Sequence, residues 1–150
     1  MTSDRFLLSV RLLAECYHAF SRVSGSYIRA LDLTPSQFHI LVTLGATPGL
    51  NFKELGEKTL ITKGTLTGVI DRLEAKGLVK RALKMEDRRS TTVQLTDKGM
   101  LEYQRVFLPH LQFCKQSFLG YSDNDFASLE EELEKLRLRL IQTSGTKKNK

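Results

Sequence analysis

Lys63, Thr65 and Thr67, with Gly64 and Gly68 among them, open a helical pattern whose first turns carry short polar side chains and one cation. Further along, Lys84, Arg88 and Arg89 gather at a polar turn between two β-prone runs. Hydroxyl and ammonium groups with nothing bulky between them suit base edges and phosphates, and guanidinium groups on a projecting turn suit a flanking groove. This is the chemistry of nucleic-acid recognition. No glycine-rich phosphate loop, CxxC pair, HExxH or GxSxG occurs in the chain, so an enzyme is not expected.

The elements that must carry these residues can be read locally. Asn51 followed by Glu54 has capping-box spacing, with Phe52 and Leu55 on the apolar side of a short helix ending near Thr59. Thr62 is placed to cap a second helix running to about Lys76. Leu66, Val69, Ile70 and Leu73 form its buried stripe. The opposite face is Gly64, Thr67, Gly68 and Asp71, flanked by Lys63, Thr65 and Arg72, and Gly77 should stop the helix. Leu78 to Ala82 and Thr91 to Leu95 then predict a hairpin with Lys84, Arg88 and Arg89 near its tip. The whole is mainly α with a small β-hairpin wing, a winged helix-turn-helix. The competing reading is a winged-helix module that binds another protein and no DNA.

Six pieces in order carry a more specific resemblance: Leu33 to Phe38, Leu55-Gly56-Glu57, Lys63 to Glu74, Lys76 to Val79, Asp87-Arg88-Arg89, and Leu95 to Gly99. Over roughly residues 5 to 142 the chain resembles the MarR family (multiple antibiotic resistance regulators). The resemblance implies a bacterial or archaeal homodimeric transcription regulator, a repressor that an effector releases from a pseudo-palindromic operator in double-stranded DNA. It makes Arg89 the minor-groove arginine, braced by Asp87, with Arg88 on adjacent phosphate. A narrow minor groove, where the potential is most negative, is where such a guanidinium gains most. Thr62, Lys63, Thr65 and Thr67 are the expected major-groove and nearby phosphate contacts, and Lys53 and Arg72 lesser phosphate contacts. Arg72 could equally be tied to Asp71 or Glu74. Gly64 departs from the family, many of whose members carry a side chain there.

Charge agrees with the reading. Of the formal net charge of +6, residues 51–95 hold ten Lys and Arg against six Asp and Glu. Such an excess makes DNA binding depend steeply on salt. Charges at Asp4, Arg5, Arg11 and Glu15 break the N-terminal apolar run, and no uncharged run is long enough to span a bilayer, so a cytoplasmic protein is expected.

The flanks read as helices in need of a partner. From Asp4 to Leu31, the residues Phe6, Val10, Leu13, Tyr17, Phe20, Tyr27 and Leu31 recur at near-helical spacing. Ser122 and Asp125 resemble a capping box, and Leu129, Leu133, Leu136 and Leu140 make a narrow heptad-like seam with Glu131 and Lys135 paired outside it. Thr96 to Leu119 is expected to be one helix kinked at Pro109, with Met100, Tyr103, Phe107, Leu111, Cys114 and Phe118 inward. The resulting organisation is a single MarR-like domain. Its DNA-binding lobe is about 34–96, its dimerisation lobe about 4–31 and 97–142, and a basic disordered tail follows over 143–150.

Regulation is read from the resemblance. Family members bind small aromatic ligands in a crevice between the lobes, for which Tyr17, His18, Arg22, Phe38, His39 and Tyr103 are the candidate lining. A redox branch senses hydroperoxides through a first-helix cysteine, a role Cys16 would fill as an alternative. His18, His39 and His110 are widely spaced and lack adjacent acids. No metal site or cofactor is therefore expected.

Overall fold

The computed structural model describes the backbone of residues 2–84 and 87–145, and the side chains of residues 4–83 and 91–145. The wing residues Lys84, Asp87, Arg88 and Arg89 have side chains outside that described set. In order the chain forms α1 (Thr2–Ala30), α2 (Pro35–Gly45), β1 (Leu50–Asn51), α3 (Phe52–Thr59), α4 (Lys63–Ala75), β2 (Val79–Lys84), β3 (Asp87–Leu95), α5 (Asp97–Lys115), a 3-10 turn (Gln116–Phe118) and α6 (Asp123–Gly145). It divides into two compact units, residues 1–114 and 115–150.

Capping chemistry sets the helix starts. Thr34 and Gln37 form a capping box at α2, with Pro35 in the first turn, where a missing N–H costs nothing. Asn51 and Glu54 form the predicted box at α3, each bond 2.8 Å long. Thr62 does occupy the N-cap of α4, but its hydroxyl donates to Thr65 Oγ1 and caps no backbone N–H. Gly77 follows α4 with φ of 73°, the left-handed conformation that glycine adopts without a Cβ clash.

The hairpin pairs β2 with β3 from Val79 opposite Leu95 to Leu83 opposite Thr91, and β1 adds to the free side of β3 through Leu50 opposite Val93. That third strand was not foreseen. Two residues are too short to show alternation, and the second of them, Asn51, is also the N-cap of α3. The core beneath gathers Ile28, Phe38, Leu41, Leu55, Leu66, Ile70, Leu73, Val93 and Val106 from six elements. The α4 stripe of Leu66, Val69, Ile70 and Leu73 is buried as its spacing predicts.

Several flanking expectations need correction. α5 stops at Lys115 and buries Gly99, Val106, His110 and Cys114, whereas Leu111 faces solvent. His110 is buried with a polar partner, Ser24, that helical spacing cannot reveal. In the second unit the Ser122–Asp125 box caps α6. There Lys135 pairs with Glu132 at 3.5 Å, not with Glu131, because i,i+3 neighbours share a face as i,i+4 neighbours do. The helix also continues through Thr143 and Ser144 to Gly145, into the expected tail.

Candidate nucleic-acid interface

α4 is sorted by its burial into two faces. Leu66, Val69, Ile70 and Leu73 anchor it, which leaves Lys63, Thr65, Thr67 and Arg72 exposed on the other side, with Thr62 at the cap. A Cβ built at Gly64 or Gly68 would meet no atom within 4 Å. Neither glycine is required by packing, and both keep the helix surface low. Lys53, exposed on α3, lies with Lys63 and Glu57 along a groove of about 530 Å³ floored by Phe52, Ile61 and Leu66. Six of the sequence-predicted contacts (Lys53, Thr62, Lys63, Thr65, Thr67 and Arg72) are therefore open to a ligand on α3 and α4. Arg88, Arg89 and Asp87 fall outside the described side chains.

Arg72 is not tied down by its acidic neighbours. Arg81, on β2, holds both of them: Nη2 donates to Asp71 Oδ1 at 2.6 Å and Nη1 to Glu74 Oε2 at 2.9 Å. Its guanidinium carbon sits 5.7 Å from the Phe52 ring centre. The hydrogen bond to Asp71, then that to Glu74, hold the Arg81 guanidinium even more firmly charged than usual. Two lysines of this basic region serve the fold. Lys76 Nζ donates to the Asp32 carbonyl at 3.1 Å, and Lys98 Nζ to the Lys76 carbonyl at 2.8 Å, satisfying carbonyls at helix ends.

Away from α4, a cavity of about 540 Å³ opens among α1, α2 and the end of α3, lined by Tyr17, Phe20, Ser24, Pro35, His39 and Leu60, with others. Of the six residues predicted to line an effector crevice, it brings Tyr17 and His39 together. Phe38 is buried in the core, and Tyr103 stacks on Phe107 with centroids 5.1 Å apart. His18 and Arg22 are exposed and do not line the cavity. Cys16 is exposed as a free thiol and Cys114 is buried as one.

Beside the cavity lies a cluster that sequence reasoning missed. His110 is 8% exposed; its Nε2 is 2.9 Å from the Ser24 hydroxyl and 3.4 Å from Cys114 Sγ. The Phe38 ring lies 4.4 Å from the imidazole, centre to centre. Burial pushes the Cys114 thiol up, with Ser24 opposing it, and burial pushes His110 below its ordinary range, with the charge of His39 adding to that. A histidine depressed by folding takes up its proton more readily in the unfolded chain. The stability it contributes is complete above about pH 6.5 and is lost as pH falls below that value. The melting temperature should therefore fall on acidification from about pH 7 to pH 5. His110→Gln should lower it at neutral pH and flatten that dependence. An unchanged slope in the variant would place the acid-sensitive group elsewhere.

The family model described as the MarR family matches residues 33–91, from α2 to β3. The chain is 40% identical over 94 residues to the HTH-type transcriptional regulator TtmR of Methylorubrum extorquens, covering 62% of this chain and about half (48%) of that relative's length. It is 34% identical over 131 residues to the HTH-type transcriptional regulator PecS of Dickeya dadantii, covering 81% of this chain and 79% of PecS. Among solved structures it is similar to a cysteine-to-serine mutant of MarR from E. coli complexed with operator DNA, with a TM-score of 0.74, 26% identity, and coverage of 89% and 96% of the two chains. With PecS matched over most of both lengths and the winged helix-turn-helix in place, the chain belongs to the MarR family of transcriptional regulators.

Proposed function

We propose that the chain is a homodimeric, sequence-specific DNA-binding regulator that acts in the cytoplasm as a repressor, without catalysis of its own. The carrying observation is α4, whose apolar stripe is fully committed to the core while Lys63, Thr65, Thr67 and Arg72 stand exposed beside two open glycines. That face enters the major groove. Lys53 holds phosphate from α3, and the wing places Arg89, braced by Asp87, in the minor groove with Arg88 on the backbone. Residues of about 34–96 are the DNA-binding lobe, and about 4–31 and 97–142 the dimerisation lobe. Two copies set their α4 helices about 34 Å apart, the spacing of successive major grooves in a pseudo-palindrome. Among the described residues no helix is long and apolar enough to cross a membrane.

The cavity of about 540 Å³ beside Tyr17 and His39 supports a small aromatic effector. It falls in the size range of small-molecule sites, and its walls combine aromatic and polar groups. Occupancy there, between α1 and the α2–α3 side, would alter how α4 is carried and release the DNA.

Fluorescence anisotropy with DNA from upstream of the chain's own gene, against a scrambled duplex and across a salt series, tests the reading. Preference for the native fragment with steep weakening by salt is the expected result. No binding at low salt would move the function to protein recognition. On the same fragment, Arg89→Ala should weaken binding by about 1–3 kcal/mol. Unchanged affinity in a folded dimer would remove Arg89 from the groove.

A further inference from the structure

The geometry points to Arg81 as a positioning residue for DNA reading: a two-carboxylate clamp from the wing that sets the orientation of α4. The inference rests on the reading of α4 as the groove helix. The apolar stripe holds α4 on one side only, and all four of its buried residues lie on that side. What fixes the far side is a set of polar contacts near its C-terminal end. Asp71 and Glu74, one turn apart on α4, are both held by the Arg81 fork. Arg81 in turn is fixed by strand pairing opposite Val93 and by the Phe52 ring. One guanidinium thus joins α4, the wing strand β2 and the first residue of α3. A planar fork with five donors can hold two carboxylates in a set direction, which a lysine ammonium cannot do.

The same contact has an electrostatic side. Asp71 and Glu74 are carboxylates on the helix that approaches a polyanion, and Arg81 neutralises much of their field. The Arg81 side chain is 30% exposed, whereas those of Asp71 and Glu74 are 59% and 45% exposed. The acids therefore remain visible to DNA unless the clamp is closed. Simple charge counting and the clamp make opposite statements about removing these acids. Charge counting has Asp71→Asn with Glu74→Gln bind every duplex more tightly, with no change in the ratio between duplexes. The clamp has the ratio collapse, because an α4 free to rock no longer presents Thr65 and Thr67 in one register.

The test uses the full-length chain and the best duplex selected from a random pool, against its scrambled form. Arg81→Gln, and separately the Asp71→Asn, Glu74→Gln pair, should each reduce the selected-over-scrambled ratio by roughly tenfold, the scale of coupling between contacting residues. Arg81→Lys should restore only part of it. The slope of log affinity against log salt should stay at the wild-type value in Arg81→Gln. A slope shallower by about one unit would make Arg81 a phosphate contact and overturn the proposal. Hydrogen exchange tests the clamp without DNA. Amides of residues 71–75 and 79–82 should lose protection in Arg81→Gln. Lost protection with an unchanged ratio would leave a merely structural ion pair and overturn the positioning role. Unchanged protection would overturn the clamp even if the wild-type chain preferred no duplex, a result that by itself would fail the groove-helix reading.

Discussion

Gly99→Ala is expected to destabilise the chain by about 3 kcal/mol, which for a domain of this size lowers the melting temperature by roughly 6–12 °C. Gly99 is buried in the first turn of α5, where a Cβ would stand 1.9 Å from the Leu78 carbonyl oxygen and 2.9 Å from its carbon. That carbonyl cannot swing aside cheaply. It accepts the Thr96 N–H at 3.1 Å, and the Leu78 N–H is itself bonded to the Leu73 carbonyl at 3.0 Å. The methyl group must therefore lift α5 off the junction of α4 and the wing. Alanine's helix propensity, better than glycine's by about 1 kcal/mol, works in the opposite direction and is outweighed. Gly64→Ala provides the contrast, since nothing lies within 4 Å of its Cβ position; that variant should hold or raise the melting temperature. Thermal unfolding by circular dichroism reads both. An unaltered melting temperature in Gly99→Ala would mean that α5 and Leu78 do not meet as described.

What was legible in the sequence had local causes. The Asn51–Glu54 box, the four-residue stripe of α4 and the Gly77 stop each depend on residues within a few turns, and all three stand where spacing placed them. The exposed side of α4 followed from the stripe by exclusion. Contacts set by chain reversal were not legible. The sequence offers Arg72 as a partner of Asp71 or Glu74, yet residues one and two apart on a helix do not face each other. The true partner, Arg81, arrives only because the chain reverses at Gly77 and β2 runs back past α4.

The inward face of α5 was legible only in part, for a related reason: Cys114 is buried and Met100, Tyr103, Phe107 and Phe118 are half-buried as expected, but Leu111 is exposed. Leu101, Leu108 and Leu111 are apolar but exposed, so hydrophobicity marks several faces of that helix at once. The deciding contact is the buried pair of His110 with Ser24, 86 residues away in sequence. A histidine is placed inside only where such a partner satisfies it, and no periodicity announces the partner. Of the six residues expected to line an effector crevice, two, Tyr17 and His39, border the cavity beside α1. The contributions of Ser24, Pro35 and Leu60 depend on how α1, α2 and α3 meet.

Leu133→Glu combined with Leu136→Glu should convert the proposed dimer to a monomer and weaken binding to the selected duplex by on the order of 10²–10⁴-fold, the gain that linking two half-site contacts provides. α6 buries none of its residues, and its seam of Leu129, Leu133, Leu136 and Leu140 is 37–56% exposed. On α1, every described residue from Asp4 to Val23 is exposed, Phe6, Leu13 and Phe20 among them. Exposed apolar surface of this extent is unfavourable in water and marks an interaction face. The sequence repeat on α6 is the 4-3-4 spacing of a helix–helix seam, which suits a second copy presenting the same face. Two carboxylates in the seam would have to be buried unpaired, so association is lost while α3, α4 and the wing keep their contacts. Light scattering should then show the mass of one chain, and the salt slope on the selected duplex should fall by about half as one set of phosphate contacts disappears. The wild-type melting temperature should rise with protein concentration, as it must when folding and pairing are linked, and that of the variant should not. If the variant keeps the mass of two chains and the wild-type salt slope, the α6 seam is not the interface, and the exposed face of α1 would have to carry the pairing alone.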